Sequence, residues 1–402
     1  MAFVALGLVF LVIIVLLTLR RPLYQAILGG LIMTMLLYGF SPVEAGRQVA
    51  KVFINWSSLS VLVSLYLITY LQRMLEARRQ IKLAGDDLSG LFHNRRVNAI
   101  GAPLFIGLLP SAAAMILCGD IVKEATDGYL EPREQAFVTS WFRHIPESTM
   151  PTYTAVLLMV NLSGLPIGKF IVCMIPAVLV LCMLGYFPYL HRLPKDPGVP
   201  KSDRPLQHLV GLFAHLWTLL LILVLILGFH FSVVPAVAIV IVLAAFVYRF
   251  QGGELLAMLK SAFEIKLLLN TFLVLVLKEF IAHTGTLELL PSALAALPIP
   301  TYLVFALLFF FGGILSGVSG IIAMGTPLAF AALDGGIPLM VLLMCMCHAA
   351  SQLSPTHVCL VVASDYYGVT LGDLIRKTLP RALLFCMLMI IYYNVLILVG
   401  VG

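Results

Sequence analysis

The sequence predicts an all-α polytopic membrane protein with two repeats of inverted topology, about ten transmembrane helices and two re-entrant hairpins. The composition, the apolar segments and an internal duplication support this fold class. Of the 402 residues, 61% are hydrophobic and 11% are charged, whereas a soluble domain has about 25% charged residues. This composition excludes a soluble enzyme, a disulfide-stabilised secreted scaffold, a nucleic-acid-binding protein and a disordered chain. The partner that it predicts is the lipid bilayer.

Twelve apolar segments follow one another along the chain. A helix that crosses a bilayer needs about 20 apolar residues, and helices satisfy their backbone polar groups within the segment. Segments 98–118 and 299–331 are rich in Gly, Pro and Ser, which predicts hairpins that enter and leave on one side. The ten predicted crossings are 1–19, 22–40, 53–72, 135–162, 168–190, 208–230, 233–249, 267–283, 337–365 and 380–401.

The positions of the basic residues predict the orientation. With ten crossings and both termini outside, 20 of the 25 Lys and Arg residues fall in loops on the inside. This distribution obeys the positive-inside rule. Counting either hairpin as a crossing would move a basic loop to the other face. We therefore predict a multi-pass protein of the cell (inner or cytoplasmic) membrane.

An internal duplication relates the two halves of the chain at an offset of 204 residues. Eight residues are identical in the 36 positions 144–179 when these are aligned with 348–383, and half of the eight are Gly or Pro. Invariant Gly and Pro reflect backbone geometry more than hydrophobicity. Upstream, Gly107 and Leu109 match Gly313 and Leu315.

Each predicted repeat contains three helices, a hairpin, a broken helix and a closing helix. Five crossings is an odd number, so the second repeat must be inverted relative to the first. The first repeat is 1–195, with scaffold helices in 1–76, hairpin 98–118, broken helix 135–162 and closing helix 168–190. The second is 205–402, with scaffold helices in 208–283, hairpin 299–331, broken helix 337–365 and closing helix 380–401. Inverted repeats with interrupted helices are typical of secondary transporters, whose sites lie where the repeats meet.

Two matched polar breaks, 146–153 and 350–357, are the predicted binding centre. Proline interrupts helical hydrogen bonding, and the freed carbonyls and half-helix N-termini can bind ions. Small residues at the hairpin tips allow close backbone approach. The predicted substrate or ion contacts are Ser111, Ser148, Thr149, Thr152, Ser319, Ser354 and Thr356, with Gln352 as a polar selector.

Ionisable residues near the breaks are candidates for proton coupling, because charges within a membrane are costly. The candidates are Glu147, His144 and His348. An equally weighted alternative is that Glu147 pairs with Arg143 and serves structure alone. No metal site and no catalytic residue is predicted.

The order of helices, hairpins and breaks resembles the ion transporter superfamily, which includes gluconate, citrate and C4-dicarboxylate carriers and sodium–proton antiporters. The chain is most similar to an uncharacterised prokaryotic family of integral membrane proteins within or near that group. The specific motifs are 148–152 and 353–356 and the hairpin tips. The resemblance implies an elevator-type mechanism on a dimeric scaffold formed by 1–76 and 208–283. The dicarboxylate carriers' Ser-Asn-Thr triplet is absent from both tips, so the resemblance does not extend to dicarboxylate specificity.

The sequence therefore predicts a secondary active transporter, a symporter in the simplest form, for a small anionic metabolite of the carboxylate type. The coupling ion is Na⁺ or H⁺, no other cofactor is predicted, and the protein is expected to be a homodimer and not an enzyme. An alternative is an ion-only exchanger of the sodium–proton antiporter type. A less favoured alternative is an intramembrane serine protease, because Gly317-Val318-Ser319-Gly320 contains a nucleophile-like serine.

Overall fold

The computed structural model describes residues 2–19, 21–91, 94–108, 114–196, 203–286, 298–355 and 357–401. Within these ranges the protein has 19 α-helices and no strand, which confirms the all-α class. The first ten are α1 Ala2–Thr18, α2 Leu23–Tyr38, α3 Pro42–Ile54, α4 Trp56–Ala77, α5 Gln80–Leu91, α6 Arg95–Ile106, α7 Ala114–Thr126, α8 Pro132–His144, α9 Thr154–Ser163 and α10 Ile167–Tyr189. The others are α11 Pro205–Leu223, α12 Val233–Val247, α13 Gly252–Ser261, α14 Ile265–His283, α15 Thr301–Ser316, α16 Val318–Ala332, α17 Gly336–Ser351, α18 Val358–Tyr367 and α19 Leu371–Leu398.

Four helical segments in the described ranges are long and apolar enough to cross a membrane. They are Trp56–Ala77, Ile167–Arg192, Pro205–Gly228 and Leu371–Leu398. Eight further apolar helices in the described ranges are shorter, with 10–17 residues each. The chain is a multi-pass membrane protein; ten crossings and the sides of the termini stay predictions.

The last helix begins earlier than the apolar pattern predicts. Its predicted start is residue 380, whereas α19 starts at Leu371. The Thr370 side chain accepts a hydrogen bond from the Asp373 amide, and Asp373 bonds back to the Thr370 amide. This capping box fixes the helix start. The first turns are polar, so a hydropathy criterion misses them.

The segment 299–331 is interrupted once. Helix α15 continues through Gly312-Gly313 and ends at Ser316, and α16 passes through Pro327. The chain turns at Gly317, whose φ of +76° and ψ of 160° suit a residue without a Cβ atom. Helices α15 and α16 pack against each other, as do α6 and α7. Residues 109–113, which include Ser111, lie outside the described residues.

Both segments that were predicted to break divide into two helices. Between α8 and α9, Ile145–Ser148 forms a 3₁₀ turn, and 149–153 is irregular. Between α17 and α18, the helix stops at Ser351 and resumes at Val358. Helices α6 and α7 contact α8, and α15 and α16 contact α17. Each helix pair therefore packs against the interrupted helix that follows it.

Candidate functional site

A cavity of about 240 Å³ lies where the two breaks meet the turn at Gly317. The 3₁₀ turn and the start of α9 form one wall, and the first residues of α16 form another. The end of α17 and His357 close the remaining side. The polar side chains that line it are Glu147, Ser148, Tyr153, Thr154, Ser319, His348, Ser351 and His357.

An ion pair occupies the first break. Arg143, in the last turn of α8, contacts Glu147 in the 3₁₀ turn that follows, four residues further on. The Arg143 side chain is only 2% exposed, whereas Glu147 is 20% exposed and reaches the cavity. A buried arginine needs such a partner, because an isolated charge inside a protein is strongly unfavourable. The pairing that the sequence offered as an alternative for Glu147 is therefore present in the structure.

Two histidines connect the first break to the second. The Nδ1–H group of His144 donates to the Ser140 carbonyl at 2.5 Å, and its Nε2 lies 2.9 Å from Nε2 of His357. Because Nδ1 of His144 carries a proton, Nε2 of a neutral His144 accepts from His357. Nε2 of His357 also lies 4.0 Å from Oε2 of Glu147. His144, Glu147, His357 and Cys359 together place four potential metal-ligand atoms within 4.8 Å of one another.

His348 and Ser319 face the same cavity from α17 and α16. His348 is 4% exposed, and its Nε2 has no hydrogen-bond partner among the described residues. A buried polar atom without a partner is uncommon in folded proteins. Its position at the cavity wall gives a bound molecule a donor or acceptor to contact.

The other predicted contacts either bond to the framework, lie away from this cavity or fall outside the described residues. Ser148 lines the cavity but donates to the Ile145 carbonyl at 3.0 Å. Gln352 is buried away from it, with Nε2 donating to the Trp141 carbonyl at 3.3 Å. Thr149 is buried, and its hydroxyl has no partner among the described residues. Thr152 lines a separate apolar pocket between α6 and α11, and Thr356 lies outside the described residues.

Hydroxyl groups tie each break to the neighbouring helix pair. Tyr153 and Thr152 donate to the carbonyls of Gly107 and Leu108, at 2.5 and 3.4 Å. Ser354 donates to the Ile314 carbonyl at 2.9 Å. These bonds fix both breaks against the ends of α6 and α15.

Two glycines allow the same close approach. A Cβ atom at Gly107 would overlap the carbonyl oxygen of Arg143, and a Cβ atom at Gly313 would lie 2.7 Å from Cβ of Ala350. Real Cβ atoms do not come that close to a neighbour. At both places a helix that precedes a break is therefore packed directly on the backbone of its neighbour.

A second cavity of about 730 Å³ lies between α4, the α9–α10 connection and the α11–α12 connection. Its wall carries Lys169, His230, Asn161 and a row of α4 serines, Ser57, Ser60 and Ser64. No acidic side chain occurs among its described lining residues. The Asn161 side chain lines this cavity and donates a hydrogen bond to the Ser57 carbonyl.

Five site residues were not singled out as contacts by the sequence, namely Tyr153, Thr154, Ser351, His357 and Cys359. In the duplication, Tyr153 aligns with His357, so the aligned residues differ in chemistry. This difference between Tyr153 and His357 could have been used to predict a functional role for the position. The contact between His144 and His357, however, joins residues 213 positions apart and depends on tertiary packing.

The overall architecture has a known counterpart. The chain superposes on the crystal structure of the YdaH transporter of Alcanivorax borkumensis with a TM-score of 0.62, covering 90% of each chain at 14% sequence identity. At this identity the likeness concerns the fold. A comparison with curated proteins finds no matching sequence. The model of a protein family of unknown function, DUF401, matches residues 2–396, and the chain therefore belongs to this family.

Proposed function

We propose that the protein is a secondary active transporter for a small anionic, carboxylate-type metabolite. A Na⁺ or H⁺ gradient would drive the transport. The observation that carries the proposal is the polar cavity shared by both breaks and the Gly317 turn. Its volume of about 240 Å³ lies below the roughly 300–1,000 Å³ of sites for drug-sized ligands. A small metabolite or an ion fits this size.

Two inverted repeats, 1–195 and 205–402, are part of the proposal. The hydroxyl of Thr152 bonds the Leu108 carbonyl and that of Ser354 bonds the Ile314 carbonyl. Leu108 and Ile314 are equivalent positions when Gly107 is aligned with Gly313. Gly107 and Gly313, which align with each other, also each lie close to the helix before the break, at Arg143 and at Ala350. A duplication explains why these contacts recur in both halves better than independent packing does.

Within each repeat, the scaffold helices are distinct from the hairpin and the broken helix, and this division supports an elevator mechanism. Residues 1–76 and 208–283 would form the scaffold, which is dimeric in the transporters that the sequence resembles. The hairpins and broken helices would slide against it as one unit, with both termini outside the cytoplasmic membrane. Asn161 on α9 and Ser57 on α4 join the two parts, so this contact must break during sliding.

An anionic substrate is supported by the larger cavity. Lys169 is the cationic side chain in its wall, and the described lining residues include no acidic group. A cleft lined by one sign of charge raises the local concentration of the opposite ion. The α4 serines and Asn161 add hydrogen-bonding groups to the wall of this cavity.

Uptake into proteoliposomes tests the proposal. Mono-, di- and tricarboxylates are offered under an imposed Na⁺ gradient and, separately, a pH gradient, with protein-free liposomes as the blank. We expect one gradient to drive accumulation and Glu147→Gln to abolish any proton-driven part. Folded protein that moves no carboxylate under either gradient would contradict the proposal. Na⁺-dependent proton flux without organic solute would instead identify the ion-only exchanger.

Ser319 separates transport from proteolysis. In a transporter, Ser319→Ala removes one hydrogen bond of about 0.5–1.5 kcal/mol and weakens substrate affinity by about 2- to 10-fold. In a serine protease the same change would remove the nucleophile and abolish cleavage. Ser261→Ala, in α13 and away from both cavities, is the matched control and should leave uptake unchanged.

A further inference from the structure

We propose that His144, Glu147, His357 and Cys359 bind a divalent transition-metal ion of the Zn²⁺ type, which would bridge the two helix breaks. The four ligand atoms lie within 4.8 Å of one another. In a tetrahedral zinc site, neighbouring ligand atoms lie about 3.3–3.8 Å apart, as bond lengths of 2.0–2.3 Å require. Side-chain movements on the order of 1 Å would therefore bring the four groups onto one ion.

The orientation of His144 favours a metal. Its Nδ1–H donates to the Ser140 carbonyl at 2.5 Å, so its Nε2 lone pair points toward His357. Metal-binding histidines generally hold their second nitrogen in this way, which fixes the tautomer and the ring. The Nε2 atoms of His144 and His357 are 2.9 Å apart. An ion that binds both would displace the single proton they share.

The donor set selects the class of metal. Two imidazoles, a carboxylate and a thiolate match Zn²⁺ and Co²⁺, whereas Na⁺, Mg²⁺ and Ca²⁺ prefer oxygen ligands. Arg143 remains beside the site, paired with Oε1 of Glu147, and leaves Oε2 for the ion. The charges of Arg143 and Glu147 offset each other, and the Cys359 thiolate reduces the charge of the ion.

Access comes from the smaller cavity. Glu147 and His357 line it and are 20% and 27% exposed, whereas His144 and Cys359 lie behind them. An ion that enters the cavity therefore meets the two accessible ligands first. Because the thiol and imidazoles must lose protons, affinity should fall as the pH falls.

Co²⁺ titration of the untagged, chelator-treated protein in detergent tests the proposal, with Zn²⁺ competition. We expect one Co²⁺ per chain, visible d–d absorption and a thiolate charge-transfer band. Cys359→Ser should remove that band, and His357→Gln should weaken binding by at least about 10-fold. The controls Cys347→Ser and His348→Gln change the same residue types at the wall of the smaller cavity, outside the four-residue cluster, and should keep both signals.

The proposal is wrong if the wild-type protein binds no stoichiometric Co²⁺, or if Cys359→Ser and His357→Gln bind it as the controls do. Gel filtration and circular dichroism verify that each variant is folded. If Cys359→Ser does not fold, His357→Gln alone decides, because its side chain is half-buried and its loss leaves no large void. The titration needs no transport, so its outcome is distinguishable from failure of the uptake assay.

Discussion

The two helix breaks share a backbone design but differ in charge. At equivalent positions, the first break has Arg143 and Glu147 where the second has Cys347 and Ser351. The buried ion pair therefore belongs to the first break alone. Both breaks are held by hydroxyl bonds to the neighbouring helix pair.

The equivalent histidines have diverged in the same way. His144 is bonded at both ring nitrogens, whereas Nε2 of His348 faces the cavity without a partner among the described residues. The framework is thus common to both halves, and the ionic chemistry is concentrated in one. Three sets of substitutions test this division, in order of expected effect.

Arg143→Ala should have the largest effect on stability. Breaking a buried ion pair by removing one partner costs about 3–5 kcal/mol, and we expect the lower end because Glu147 retains some exposure. Reversible unfolding in detergent micelles measures the loss. The double variant Arg143→Ala/Glu147→Ala should be more stable than the single variant, since no charge is left unpaired. Cys347→Ala, at the equivalent position, should cost about 1 kcal/mol; equal losses at the two positions would contradict the asymmetry.

Gly107→Ala should destabilise the protein by about 1–3 kcal/mol, the usual cost of overpacking. The new methyl group would overlap the Arg143 carbonyl oxygen, which is backbone and moves little. Gly313→Ala should lose a similar amount against Ala350. Gly46→Ala in α3 is the control: nothing lies within 4 Å of its Cβ position, so it should be neutral or stabilising by up to about 1 kcal/mol. Thermal unfolding of all three decides, and an unchanged midpoint for Gly107→Ala would refute the close packing.

Ser354→Ala should cost about 1 kcal/mol, because it leaves the partly buried Ile314 carbonyl without this hydroxyl. Thr152→Val should cost less, since its bond to the Leu108 carbonyl is 3.4 Å long against 2.9 Å. The same unfolding measurement compares the pair. A larger loss for Thr152→Val would show that the shorter bond is not the stronger one.

The sequence predicted the breaks because proline and glycine act locally. Pro146 and Pro151 fall within the interrupted stretch, and Gly317 is the turn. Helix starts with polar first turns, such as α19 at Leu371, escaped the apolar criterion. The sequence predicted Gln352 as a polar selector. The direction of its side chain, however, depends on how the end of α17 packs against Trp141. That direction is set by tertiary packing, as is the meeting of His144 with His357.

The histidine contact also has a consequence for the order of assembly. His357 is synthesised 213 residues after His144, which takes roughly 10–40 s at about 5–20 residues per second. During that interval the first half must reside in lipid without its partner. Arg143 and Glu147, only four residues apart, can neutralise each other within their own segment, and the Ser140 carbonyl holds His144. The ion pair of the first break therefore keeps the charges of the first half compensated within the bilayer until the second half has been synthesised.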